Sequence, residues 1–262
     1  MEAISIRPHP IACIMEKKFQ ASHNILTEDL KPLPQRVSFR LTKKYNEVEM
    51  VFMIVNENYV SRFPNMFLAL FHCMCFCIVV DGIIDHADSV GNGGRYGMGD
   101  LQWMTAGGGI VHSEMFPLVK QDAPNPTRFF QIWLNLPAKN KMVSPSFAMF
   151  WANEVPKYKT EDGLAVATIW AGHYYGVTKD TQNNPPPDSW ASDAENDVAL
   201  VHITVQPGGK LTLPEAREKT VNRSLFYIEG AAGVLVDGKA IGAKQSLIMD
   251  PTKEGTYTFV VS

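Results

Sequence analysis

The sequence predicts an all-β protein built from two barrels of one type, and three observations predict it. From Cys73 onward, short apolar runs such as CIVVDG, LQWMTAGGG, IVHSEM, FFQIWLNLP and DVALVHITVQPGG alternate with turns rich in glycine and aspartate, the spacing of strands in a sandwich or barrel. No segment sustains a 3.6-residue apolar period, and PEAREKTVN (Pro214–Asn222) is the only helix candidate. Finally, IVVDGIIDHADSVGNGG and, far downstream, YIEGAAGVLVDGKAIG with SLIMDPTKEGTYTF share one grammar: strand, acidic–Gly turn, strand, Gly-rich turn, strand. Such self-similarity indicates an internal duplication.

The elements follow in order. Residues 1–64 carry little pattern: KPLPQ (Lys31–Gln35) reads as a turn or linker, and VSFRLTKKYNEVEMVFMIV as a hairpin turning near Tyr45–Asn46–Glu47. Met66–Val80 is the one long apolar stretch. It falls short of the ~20 residues a membrane span needs and contains His72, so it is read as a buried strand pair or a strand with its lead-in, and no membrane partner is expected. A first barrel is expected over 65–150 and a second over 151–262. The Pro-rich TQNNPPPDSWASDAEND (Thr181–Asp197) is expected to be an exposed link between barrels, because three consecutive prolines cannot join a ladder.

Bulk properties exclude several classes. With 262 residues the chain can bury ample core, and 45% hydrophobic with 19% charged residues is the composition of a folded domain. A net charge of -3 and a pI near 6.2 leave no footprint for direct nucleic-acid binding. The four cysteines are Cys13, Cys73, Cys75 and Cys77; three in one alternating run cannot form a disulfide framework, which implies a reducing compartment. The N-terminus lacks the basic start and apolar core of a secretory signal.

QWMTAGGGIVHSEMF (Gln102–Phe116) concentrates the candidate chemistry. His112 and Glu114 are two apart, so on a strand they face one side and can form part of a metal site or an acid/base pair; the alternative is a hydrogen-bonded core pair. Gly107, Gly108 and Gly109 are followed by no helix and no lysine, so their role is to permit positive φ and close approach rather than to hold phosphate. Trp103 and Met104 are placed at the barrel mouth or in ordinary core. His86 falls in a hairpin loop beside Asp85 and Asp88, where short polar side chains bond backbone, and His173 and His202 read as structural. Cys73, Cys75 and Cys77 have opposite parity to Leu68 and Leu70, so a regular strand would turn them away from the site, with packing as their role.

Val80–Phe116, with its acidic–Gly turn, His-x-Asp-Ser-x-Gly-Asn loop, Gly-Asp-x-Gln-Trp-Met-Thr-Ala-Gly run and His-Ser-Glu-Met ending, resembles the pirin family, and the likeness continues through FFQIWLNLPAKNKMVSPSF and IWAGHYYGV to about Phe259. The resemblance implies a tandem of cupin barrels, a bicupin of double-stranded β-helices. It also implies an Fe(II) site in the first barrel, made from a His-Pro-His pair plus the His and Glu of His-Ser-Glu; three imidazoles and a carboxylate with open positions suit redox iron. His112 and Glu114 match the second half of that set. The first half falls on Leu68, Ala69 and Leu70, which cannot ligate a metal. His72 shares their strand parity, and a two-residue slip would make it a stand-in ligand, giving a set of His72, His112 and Glu114. The first barrel is therefore expected to be incomplete or irregular, and the second to stop short of the family's last strand. NMFLALFHCMCFCIV reads as a translated intron or aberrant exon joint; transcript reads running uninterrupted through it would sink that hypothesis.

Three functions follow from the resemblance. One is a quercetin dioxygenase-like enzyme in which Fe(II) orients a flavonol and Glu114 serves as ligand and base, with iron binding impaired here by the two leucines. The second is a cofactor of a transcription-factor protein, nuclear or cytoplasmic, acting through protein contacts without touching nucleic acid. The third is an inactive chain.

Overall fold

The computed structural model describes residues 4–7, 17–19, 48–52, 65–70, 73–120, 122–123, 125–136, 138–172, 185–186, 188–193, 196–213, 223–230, 233–242, 245–249 and 257–261. The Pro214–Asn222 segment, His72 and His173 lie outside them, as do Cys13, KPLPQ and the Tyr45–Glu47 turn. In chain order the strands are β1 (Ile4–Arg7), β2 (Lys17–Phe19), β3 (Val48–Phe52), β4 (Asn65–Leu70), β5 (Cys73–Asp81), β6 (Ile83–Asp88), β7 (Gly93–Gly97), β8 (Leu101–Thr105), β9 (Ile110–Met115) and β10 (Thr127–Asn135). They continue with β11 (Ser146–Phe150), β12 (Lys157–Lys159), β13 (Ala165–Ala171), β14 (Leu200–Val205), β15 (Lys210–Leu213), β16 (Arg223–Glu229), β17 (Val234–Val236), β18 (Lys239–Ile241), β19 (Ser246–Met249) and β20 (Tyr257–Val261).

These strands form four antiparallel sheets, so the all-β, two-barrel architecture is observed. The first barrel is a five-stranded sheet, ordered β11-β8-β5-β10-β2, facing a four-stranded sheet ordered β4-β9-β6-β7. The second is a seven-stranded sheet, β1-β19-β16-β3-β14-β13-β12, facing a four-stranded sheet, β15-β20-β17-β18. The five- and seven-stranded sheets meet back to back. Met74, Phe76 and Ile78 of β5, Trp103 of β8 and Phe130 of β10 pack there against Trp170, Ala171 and Leu200 of the second barrel. An Arg128–Glu229 ion pair of 3.4 Å also joins β10 to β16.

That layering explains the sequence of β5. As part of a middle layer it is covered on both faces, so Met74 through Val79 are all buried and the strand reads as a near-continuous apolar run. The Met66–Val80 stretch is thus a strand pair, β4 and β5, in two different sheets. Among the described residues no helix is long and apolar enough to cross a membrane.

Two expectations are corrected. Cys75 and Cys77 do not turn away from the first barrel's interior: they pack inside it, Cys75 with Leu70 and Ile110 and Cys77 with Ile84 and Tyr96. The parity argument fails because the chain changes sheets between Leu70 and Cys73, so side-chain alternation does not carry across the joint. The Pro-rich segment does not link the barrels, since it connects β13 to β14 within one sheet. Part of it is buried: Trp190 and Ala191 pack on the inter-barrel core, and the Ser189 hydroxyl lies 3.0 Å from Met74 Sδ. Of the two readings of Trp103 and Met104, ordinary core holds: Trp103 packs between the barrels, 4.5 Å from the Phe76 ring, and Met104 inside the first.

The weakly patterned first 64 residues also contribute. β3 lies between β14 and β16 in the seven-stranded sheet, and β1 lies on its edge beside β19.

Candidate functional site

Strand β9, IVHSEM, alternates strictly: Ile110, His112 and Glu114 are buried, while Val111 is exposed. His112 and Glu114 therefore point together into the first barrel. The turn ahead of β9 depends on Gly107, which holds φ 51°, and a β-carbon there would run into the Val143 carbonyl. Close approach and positive φ are thus both required at this position.

Opposite β9, the middle strands of the five-stranded sheet contribute a polar row in register, with Gln102, Cys77 and Gln131 side by side on β8, β5 and β10. Glu114 is completely buried and accepts hydrogen bonds from Tyr96 Oη at 3.1 Å and from Gln131 Nε2 at 3.2 Å. The Cys77 and Cys75 thiols are driven up from their ordinary range, first by burial and then by the negative Glu114 carboxylate, so both stay protonated. Tyr96 is raised as well, by burial and then by Cys77 and Glu114. Both side-chain atoms of Gln102 and the Oε1 of Gln131 are buried without a hydrogen-bond partner.

His112 is 1% exposed, and neither of its ring nitrogens has a partner. Burial, with the neighbouring His86 as second cause, takes its pKa down to about 4, so the ring is neutral at physiological pH. His86, at the end of β6, is also buried and points inward. Its ring centroid lies 5.4 Å from that of His112 and 5.1 Å from that of Phe147. Its Nε2 is 3.5 Å from Asp88 Oδ2, and its Nδ1 has no partner. The loop reading of Asp88 is borne out, since Oδ1 accepts from the backbone of Val90 and Asn92 at 2.9 Å each and closes the β6–β7 turn. His202 stacks on Trp170 at 5.1 Å between the barrels, in keeping with a structural role.

The residues do not assemble the iron set that the resemblance implies. The backbone of Leu68 pairs directly with His112, at a position where leucine offers no donor. Leu70 is 4% exposed and packs with Cys75, Met104, Ala106, Ile110 and Trp133. Among the described residues, no three of His, Cys, Asp or Glu come together as a metal would require. The structure brings His112 and Glu114 together as the sequence suggested; His72 lies outside the described residues. Sequence reading missed Tyr96, Gln102, Gln131 and the inward aim of His86. A glutamine inside each of two apolar strand runs, LQWMT and TRFFQIWLN, was the available signal.

Comparison with known proteins agrees with this architecture. The family model described as Pirin matches residues 20–134. A pirin-like protein of Solanum lycopersicum is 30% identical over 174 residues, 66% of this chain and 53% of that protein. The pirin of Homo sapiens is 38% identical over 105 residues, 40% of this chain and 34% of that one. The matched stretch thus spans about half the tomato protein and about a third of the human one. Among solved structures, a quercetin 2,3-dioxygenase from Acinetobacter baumannii superposes with a TM-score of 0.61 at 22% identity, covering 75% of this chain and 63% of that one; at that identity the likeness speaks to the fold.

Proposed function

We propose, from the premise that this chain belongs to the pirin family, that it is a bicupin whose first barrel no longer completes the family's Fe(II) centre and is impaired as a flavonol dioxygenase. The observation that carries this reading is on β4. The two positions given to histidines hold Leu68, the strand partner of His112, and Leu70, which is packed into an apolar cluster. Hydrocarbon at both positions removes two of four lone-pair donors, and no rotamer change restores them. The half set that remains is also engaged, because Glu114 already accepts from Tyr96 and Gln131.

What these residues can still do is hold a small polar molecule. Gln102 offers a donor and an acceptor without partners, Gln131 an acceptor, and neutral His112 two nitrogens without partners. Such groups suit the adjacent hydroxyl and carbonyl oxygens of a flavonol-like compound, which would recover the hydrogen bonds these buried groups lack.

Purification from iron-replete, reducing medium tests the proposal. The expected result is iron far below stoichiometric and no turnover of quercetin, with quercetin still bound. Stoichiometric iron together with quercetin turnover, both abolished in His112→Ala, would overturn it.

A further inference from the structure

We propose that Ser192 is a phosphorylation site for an acid-directed serine kinase, and that phosphate there loosens the β13–β14 connection from the seam between the two barrels. The proposal is independent of the iron reading, because no residue of the first barrel's interior takes part in it.

The sequence supplies the recognition. Ser192 is followed by Asp193, Glu195 and Asp197, and no lysine or arginine occurs between Lys179 and Lys210. A kinase cleft lined with basic side chains reads such a run through charge-assisted hydrogen bonds. Among all serines and threonines of the chain, only Ser192 and Thr212 have a carboxylate three residues downstream. Thr212 is held within β15, opposite Thr258 of β20, so the ladder withholds it. Ser192 is exposed, at the last position of a 3-10 turn (Trp190–Ser192), and Asp193 after it is already extended, with φ -87° and ψ 114°. Exposed backbone that leaves its turn extended is open to a second protein's cleft.

The structure supplies the lever. The Ser192 hydroxyl donates to the Ser189 carbonyl at 2.6 Å and so closes the turn. Within that turn the Ser189 hydroxyl reaches Met74 Sδ of β5 at 3.0 Å, and Trp190 and Ala191 pack on the inter-barrel core. Asn196 Nδ2 donates to the Trp190 carbonyl at 2.7 Å and holds the chain beyond the turn in place. Phosphate on Ser192 exchanges the donor for a near-dianion. The Ser189 carbonyl oxygen then faces phosphate oxygens, and the carboxylate of Asp193 next in the chain adds like charge, so both contacts push the turn open. What opens with it is the segment that seats Trp190 on the seam.

The step is phosphoryl transfer from ATP held by the kinase. Ser192 Oγ forms a bond to the γ-phosphorus, and the bond from that phosphorus to the bridging oxygen of the leaving ADP breaks. The hydroxyl proton passes to the kinase's catalytic carboxylate.

The test uses the full chain, Mg·ATP and a purified acidophilic serine kinase first shown to be active on a synthetic acidic serine peptide. Mass spectrometry should place one phosphate on Ser192, and Ser192→Ala should remove it. The double variant Asp193→Asn/Glu195→Gln should slow the transfer about tenfold or more, because charge-assisted bonds to the kinase are lost. In the phosphorylated chain, backbone hydrogen exchange over residues 189–196 should quicken about five- to thirtyfold, with exchange in β6 and β9 unchanged. Absence of phosphate from Ser192, or unchanged exchange over 189–196 once the phosphate is present, would overturn the proposal.

Discussion

Tyr96 and Glu114 meet inside the first barrel across 3.1 Å, the phenol of β7 donating to Oε1 of a carboxylate on β9. These two strands are not neighbours, since β6 lies between them, so the bond ties side chains over an intervening strand. Both groups are buried, and removing the donor leaves a buried oxygen short of a partner. Tyr96→Phe is expected to cost about 1–3 kcal/mol of folding stability, read as a lower urea midpoint at unchanged slope. An unchanged midpoint would mean that water replaces the phenol.

The pKa of His112 links stability to pH. In the metal-free fold it lies at about 4, below the ordinary 6.5. The unfolded chain therefore binds a proton that the folded chain refuses. The stabilisation is complete above pH 6.5 and is lost progressively as pH falls toward 4, amounting to up to about 3 kcal/mol. Urea midpoints of chelator-treated protein across that window should fall with acid more steeply than those of His112→Phe. Parallel slopes would show that His112 does not carry the effect.

Two glycine substitutions separate backbone strain from steric collision. Gly107→Ala combines positive φ with a collision against the Val143 carbonyl, whereas Gly208→Ala has φ 82° and nothing within 4 Å of its new carbon. The second should cost about 1 kcal/mol and the first clearly more, about 2–3 kcal/mol. Thermal melts of the two variants provide the comparison, and equal losses would count against the tight turn ahead of β9.

Restoring the absent half of the iron set is the converse experiment. In Leu68→His/Leu70→His the second imidazole enters the cluster of Cys75, Met104, Ile110 and Trp133. The metal-free variant should therefore lose about 1–3 kcal/mol from a poorly satisfied polar group. Added Fe(II) should recover that loss, because a ligand binding only the folded state stabilises it. Iron content and melting temperature, measured together, check both halves. A variant that melts lower and takes up no iron would show that β4 is not the ligand strand.

The sequence by itself determined the fold class, the duplication, the inward pairing of His112 and Glu114 and the absence of donors at Leu68 and Leu70. Each of these rests on local chemistry: period-two alternation, glycine- and aspartate-rich turns, and residue types with or without lone pairs. Only the tertiary structure decided which faces meet. The chain leaves one sheet at Leu70 and enters another at Cys73, and that change of sheet turned Cys75 and Cys77 toward Glu114. It also decided that Gln102, Gln131 and Tyr96 converge from three strands on one carboxylate's surroundings, and that His86 aims at His112 instead of at solvent. Register between distant strands follows from the packing of whole sheets, and no window of sequence contains the surfaces that must match.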